Sequence, residues 1–183
     1  MARAKPAKKS SSNGAKDAIA LLKADHREVE DLFEEFEKAR SDDRKQDLAM
    51  QICSALKVHT TIEEEIFYPA FLEATDDTDI HHEAEVEHDG AKKLIAEIEA
   101  MGPDDEYYDA KVKVLSEMIK HHVKEEEGPG GMFSEARDSE MDLDMLGEQL
   151  AARKAELEGA SDDLDEPPTS QGKSRGSERR QHG

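Results

Sequence analysis

Apolar side chains recur at steps of three and four residues along four long stretches of this 183-residue sequence. Such spacing places them on one face of a helix, and no stretch shows the strict alternation of a half-buried strand. Aromatic residues make up 4% of the chain and Trp is absent, which disfavours a large sheet core. The sequence therefore predicts an all-α fold.

Breaks in the pattern separate the helices, and the sharpest break is Gly128-Pro129-Gly130-Gly131. Four helices of about 20 to 25 residues with short connections predict an antiparallel up-down-up-down four-helix bundle. The second helix is expected to end or kink at Pro69. A shorter fifth helix is expected over Asp142 to Glu158. The predicted organisation is a basic arm (1–16), the bundle (17–137), a C-terminal helix (138–158) and a tail (159–183).

Charge is distributed unevenly along the chain. The formal net charge is −20, and the polar, basic segments 1–16 and 167–183 are predicted to be disordered. Removing them leaves 16 basic and 44 acidic residues, a net charge of −28. A body this acidic repels phosphate backbones, so we expect it to bind no nucleic acid. No apolar run of about 18 residues suggests a membrane partner, and a single cysteine allows no internal disulfide, so a cytoplasmic location is predicted.

Polar residues interrupt the apolar face of every predicted bundle helix. A histidine stands on the inward face of each helix, and two helices add a glutamate one turn later in a His-x-x-x-Glu element. Burying these groups without compensation would cost several kcal/mol each, which a domain of ordinary stability cannot sustain. A pair of metal ions would neutralise them, since imidazoles and carboxylates suit iron, manganese or zinc. The candidate metal ligands are His26, His59, Glu63, His88, His122 and Glu126.

The order and spacing of these residues argue against a ferritin-like di-iron bundle, which uses Glu-x-x-His elements. Only Glu85 to His88 fits that spacing. The chain instead resembles the hemerythrin-like family, also called the HHE cation-binding domain, from Asp17 to about Arg137. The stretches that carry the resemblance are Asp25-His26, His59 to Pro69, Glu87-His88 and His121 to Glu127.

The resemblance implies a bundle that encloses a non-haem, oxo- or hydroxo-bridged di-iron centre. The four histidines would then be terminal ligands of two iron ions, and the two glutamates would bridge them. Oxygen-carrying hemerythrins have a fifth histidine where this chain has Ala84. The four-His, two-Glu set looks more like the di-iron proteins implicated in repair of iron centres. Glu85 and His81 are possible additional ligands, although a solvated Glu85 and a peripheral His81 are the simpler interpretations.

Three functions are compatible with these residues. The first is a di-iron protein that binds or senses O₂, NO or reactive oxygen species such as peroxide, or that stores and donates iron during stress. The second is a di-iron enzyme, a peroxidase or an NO-reducing activity, which would need an electron donor that the sequence does not identify. The third is a metal-free acidic helical module for stress or interaction.

Overall fold

The computed structural model describes residues 16–165, and side chains up to residue 160. The predicted disorder of the N-terminal arm and of the C-terminal tail therefore falls almost wholly outside the described residues. All regular structure within them is helical, which confirms the all-α prediction. The elements are α1 (Ala18–Lys38), α2 (Asp42–Ile62), a π-helical segment (Glu63–Phe67), α3 (Tyr68–Thr75), α4 (Thr78–Glu99), α5 (Tyr108–Glu127), α6 (Met132–Asp138) and α7 (Leu143–Asp165).

The bundle consists of α1, α2 with its continuation into α3, α4 and α5. Helix α1 packs against α2 and α5, and α4 packs against α2 and α5. Polar side chains cap the first turns of three of these helices. Asp17 accepts a hydrogen bond from the backbone N–H of Ala20 at 2.7 Å, and Ser41 and Asp77 cap α2 and α4 in the same way.

A π-helical segment lies where the sequence indicates a bend before Pro69. The backbone N–H of Tyr68 bonds to the carbonyl of Glu63, five residues earlier. In a regular α-helix, residues five apart project about 140° from each other. The wider turn lets the side chains of Glu63 and Tyr68 approach the same point in the interior, where their oxygens lie 3.4 Å apart.

The C-terminal helix differs from the expectation of a shorter element. Helix α7 has 23 residues and is the longest helix among the described residues. It continues past Gly159, because a glycine in an exposed helix costs only about 1 kcal/mol relative to alanine. Gly147 permits its close packing on the start of α1, since a Cβ there would lie 2.4 Å from the carbonyl oxygen of Lys16.

The apolar core of the described residues forms two clusters. One includes Val29 of α1 and Leu56 of α2, and the other includes Leu22 of α1 and Ile62 of α2. His26 and His59 lie between these positions on their helices, and His88 on α4 lies between the clusters in the same way. A buried polar layer thus separates two apolar clusters.

Helix α7 is expected to be an integral part of the fold, because Leu150 is fully buried in the second cluster. Leu150→Ala should lower the free energy of unfolding by about 2 to 5 kcal/mol through lost burial and a residual cavity. Urea denaturation followed by circular dichroism would measure this. Met145 on the same helix is 50% exposed, so Met145→Ala is the matched control and should change stability by less than about 0.5 kcal/mol. Equal effects of the two changes would contradict the assignment.

Candidate metal centre

The six residues singled out from the sequence lie together in the polar layer. None of these residues is more than 4% exposed, and Glu63 is completely buried. Helix α1 supplies one of them, α2 and its π-helical continuation two, α4 one and α5 two. Their metal-ligating atoms form two groups that share Glu63, with all atoms of a group within 4.8 Å of one another: His26, His59, Glu63 and Glu126, and Glu63, His88 and His122.

The four imidazoles are arranged as two pairs. The Nε2 atoms of His26 and His59 lie 3.0 Å apart, and those of His88 and His122 lie 3.3 Å apart. Each pair joins helices that are neighbours in the bundle, α1 with α2 and α4 with α5. The ring nitrogens that face the interior therefore converge at two adjacent points.

Each of the two glutamates connects one pair to the other. Glu63 Oε2 lies 3.2 Å from His59 Nε2 and 3.4 Å from His88 Nε2. Glu126 Oε2 lies 3.4 Å from His26 Nε2 and 3.5 Å from His122 Nε2. Both carboxylates thus span the two imidazole pairs, which is the placement that bridging ligands of a two-ion centre require.

Outer carboxylates face the second nitrogen of every inward imidazole. The Nδ1 atoms of His26, His88 and His122 lie 2.8–2.9 Å from carboxylate oxygens, and His59 Nδ1 lies 3.6 Å from Asp25 Oδ2. An Nδ1–H that donates to a carboxylate leaves Nε2 with a lone pair directed inward, as in the carboxylate–histidine arrangements around protein-bound metals. The pairs are His26 with Glu127, His59 with Asp25, His88 with Glu64 and His122 with Glu87.

Basic side chains on the periphery hold these outer carboxylates in turn. Lys92 donates to both oxygens of Glu64 at 2.6 Å, and Lys154 of α7 donates to Asp25 at 2.8 Å. Arg27 donates to Glu127 at 2.7 Å. Carboxylates therefore surround the inward imidazoles, and basic side chains lie outside these carboxylates. Helix α7 supplies one of the basic side chains, Lys154.

Among the described residues, Tyr68 carries the only hydroxyl group that contacts the six inward ligand residues. Its oxygen lies 3.1 Å from His88 Nε2 and donates to Glu126 Oε1 at 3.2 Å. Burial and the negative charges of Glu63 and Glu126 raise its pKa well above the usual value. The phenol therefore keeps its proton and acts as a hydrogen-bond donor at the centre.

The protein environment moves the pKa values of the cluster in opposite directions. Burial and the neighbouring His59 lower the pKa of His26 to about 4, so this imidazole is neutral at pH 7. For His122, burial is outweighed by the charge of Glu126 and the contact with Glu87, and its pKa rises to about 9. Burial and the charge of Glu63 raise the pKa of Glu126.

Unsatisfied atoms show that the donor set fits a bound cation. Glu63 Oε1 and Glu126 Oε2 are buried without a hydrogen-bond partner, although buried carboxylate oxygens normally have one. Lone pairs of imidazoles 3.0 and 3.3 Å apart repel each other unless a proton or a metal ion lies between them. Four nitrogens and two carboxylates without a thiolate suit iron, manganese or zinc.

Two cavities adjoin the centre. An enclosed one of about 10 Å³ is lined by apolar side chains, including Val29 and Ile119, together with the four inward imidazoles. A second, of about 270 Å³, is bordered by residues 128–131 and reaches His122 and Glu126 from the surface. The break after α5 therefore lies beside a cavity that borders two of the six ligand residues. Next to this break, Phe133 of α6 is buried and stacks on the His26 ring, with ring centroids 5.8 Å apart.

Other candidates from the sequence lie elsewhere. Glu85 is exposed and, with His81, belongs to a separate group at the start of α4, so neither is near the six inward ligand atoms. Cys53 packs within the apolar cluster of Val29 and Leu56, and burial raises its pKa to about 12. A thiol with such a pKa is not a reactive thiolate at neutral pH.

The outer carboxylates and Tyr68 were not among the residues singled out from the sequence. The outer carboxylates could have been found from the sequence, because each is the immediate neighbour of an inward residue along the chain. Asp25 precedes His26, Glu87 precedes His88, and Glu64 and Glu127 follow the two bridging candidates. The position of Tyr68 depends on the π-helical turn, for which the helical periodicity gives no signal.

Comparisons with known proteins agree with this architecture. Residues 17–129 match the family model of the hemerythrin HHE cation binding domain. The fold is similar to the crystal structure of a hemerythrin HHE cation binding domain-containing protein from Mycobacterium kansasii, with a TM-score of 0.68 and 22% identity over 80% of this chain and 90% of that one. A DNA nickase from Nostoc sp. (strain PCC 7120) is 27% identical over 110 residues, which cover 58% of this chain and 30% of that protein.

The chain belongs to the hemerythrin HHE cation-binding domain family, as the sequence motifs predicted. Its buried His/Glu cluster is that of a metal-binding domain. This chain spans about a third of the length of the curated DNA nickase that it matches. Across residues 16–165, no helix combines the length and the apolar character needed to cross a membrane.

Metal uptake by the metal-free protein should release protons at pH 7. The imidazole of His122, with a pKa of about 9, carries a proton that must leave before Nε2 can bind a metal. Titration with Zn²⁺ in a weak buffer containing an indicator dye should show about one proton or more per chain. Apparent affinity should rise roughly tenfold per pH unit for each displaced proton, and the contribution of His122 should vanish above its pKa. Uptake without proton release would contradict the charge assignment.

Proposed function

We propose that this protein holds two iron ions in the polar layer and uses them to bind or sense O₂, NO or peroxide. The supporting observation is the pairing of Nε2 atoms, with two carboxylates spanning both pairs. His26 and His59 would hold one ion, and His88 and His122 the other. Glu63 and Glu126 would connect them. Iron at such a centre supplies reversible electron transfer to a small oxygen- or nitrogen-containing ligand.

The surroundings favour small ligands. The enclosed cavity has room for about one water-sized molecule, and its apolar side chains disfavour charged or bulky compounds. The outer carboxylates keep the imidazoles of His26, His88 and His122 in one orientation and raise their basicity, which stabilises a bound cation. Storage and donation of iron is a related role of the same centre, and the cavity beside Gly128 is the nearest large opening to His122 and Glu126.

Iron content tests the ligand assignment directly. Protein expressed with ample iron and purified without chelators should contain about two iron ions per chain, as two ligand groups imply. Glu63→Ala and Glu126→Ala should each lose most of this iron, because each removes a carboxylate that spans both imidazole pairs. Elemental analysis with a protein assay gives the ratio.

Glu125→Ala is the matched control for this experiment. Glu125 is the exposed neighbour of Glu126, so the change removes a similar charge without touching the buried cluster. Circular dichroism of every variant separates iron loss from unfolding. A folded wild-type protein without iron, or retention of two irons by both buried-site variants, would refute the assignment.

Lys154 tests whether the basic side chains around the outer carboxylates support metal binding. It lies on α7, beyond the residues that match the family model. Lys154→Met would leave the buried carboxylate of Asp25, which faces His59, without its basic partner. Loss of such support typically weakens metal binding by about 10- to 100-fold. Competition with a colorimetric iron chelator should show this loss, and Lys154→Arg should restore most of the retention. Arg153→Met, which breaks contacts with the exposed Glu65 and Glu156 alone, should retain iron like the wild type.

Tyr68 favours a second candidate function, a di-iron enzyme that consumes peroxide or NO with an external electron donor. Its phenol keeps a proton within 3.2 Å of Glu126 Oε1, in a site that excludes water. Reduction of peroxide or NO requires protons, and a positioned donor contributes about 10²- to 10⁴-fold to such steps. The hydroxyl of Tyr68 would donate a hydrogen bond to a small ligand at the centre and so assist its protonation.

The Tyr68→Phe variant discriminates between binding and turnover. It keeps the ring and removes the hydroxyl, so iron content should be unchanged. If the protein is an enzyme, peroxide consumption with a supplied reductant should fall by about 10²-fold or more. Wild-type protein that binds ligand but shows no turnover would exclude the enzymatic function and leave the binding function intact.

A further inference from the structure

A second group of metal-ligating side chains lies outside the bundle interior, in the first turns of α4. His81, His82 and Glu85 place one ligand atom each within 4.8 Å of the other two. The side chain of His81 is partly covered, whereas His82 and Glu85 are exposed. These residues share no member with the six residues of the polar layer.

One imidazole nitrogen of this group is buried without a hydrogen-bond partner among the described residues. It is Nδ1 of His81. The nearest carboxylate oxygen, Glu85 Oε2, is 3.7 Å away, too far for a hydrogen bond. At 3.7 Å, the lone pair of His81 Nδ1 and the oxygen of Glu85 are close enough for one cation to contact both.

The helix explains how the three groups converge. His81 and Glu85 are four residues apart and therefore lie on the same face of α4. The His82 ring turns towards His81, with ring centroids 5.7 Å apart. A surface cavity beside His82 and Glu85 is also lined by Glu64, Asp89 and Lys92. Lys92 is paired with Glu64, so the carboxylates of Glu85 and Asp89 leave a net negative charge that raises the local concentration of cations.

We propose that His81, His82 and Glu85 form an external site for one divalent transition-metal ion, which binds independently of the buried cluster. Two imidazoles and one carboxylate suit Zn²⁺, Co²⁺, Ni²⁺, Cu²⁺ or Fe²⁺. The exposure of His82 and Glu85 leaves the remaining coordination positions to water. The ion bound here is therefore exchangeable, in contrast to one enclosed in the polar layer.

The choice of variants follows from the packing of His81. Its ring packs edge-on against Tyr68, with centroids 5.7 Å apart, so replacing it would disturb the buried centre. His82 and Glu85 have no such contact. The double variant His82→Gln/Glu85→Gln therefore removes two of the three ligands without altering the interior. Glu83→Gln, which removes an exposed carboxylate of the same helix outside the group, is the matched control.

Zinc titration of the full-length, iron-loaded protein tests the proposal. Isothermal titration calorimetry with elemental analysis should show one more Zn²⁺ per chain in the wild type than in the double variant. The control should match the wild type. Equal zinc binding by the wild type and the double variant, or equal losses in the double variant and the control, would overturn the proposal.

Copper provides a spectroscopic readout. With one equivalent of Cu²⁺, electron paramagnetic resonance should show coupling to imidazole nitrogens that disappears in the double variant; unchanged coupling would also overturn the proposal. Iron is measured in the same samples. Absence of iron would count against the proposed di-iron function alone, because the external site is assessed from the difference between wild type and double variant.

Discussion

Repulsion between inward lone pairs is the constraint on which the structure depends. Four imidazoles direct Nε2 towards two points, and two carboxylates lie across both points, in a layer almost closed to water. No arrangement of neutral side chains satisfies these atoms together, so the interior requires positive charge from protons or metal ions. Protons alone supply this charge unevenly, because the pKa of His26 is lowered and that of His122 is raised. Two cations, one at each imidazole pair, would supply it equally to both pairs.

The same constraint explains the layers around the centre. Three of the outer carboxylates lie within hydrogen-bond distance of the Nδ1 atoms of His26, His88 and His122. Lys92, Lys154 and Arg27 hold three of the four outer carboxylates in turn. Basic residues at these points stabilise acidic groups that would otherwise repel one another in a chain of net charge −20. The C-terminal helix takes part in this arrangement and also covers the end of α1. It is therefore both a structural support and a contributor to the environment of His59.

Much of this could be predicted from the sequence, for identifiable reasons. Helical periodicity places His26 and His59 on inward faces, because an α-helix has a fixed angular step, and the bundle then brings them together. The position of Tyr68 could not be predicted in this way, since it follows from a π-helical turn that breaks the step. The length of α7 was underestimated, because the apolar periodicity weakens after Leu157 while the helix continues through the exposed Gly159. Partners across helices, such as Lys154 and Asp25, require the three-dimensional arrangement.

The division of the core into two apolar clusters has a consequence for stability. Between the clusters, α1, α2, α4 and α5 meet through the imidazoles and carboxylates of the polar layer. Bound cations would tie these four helices together at that level. Part of the free energy of metal binding would therefore appear as added stability of the folded domain.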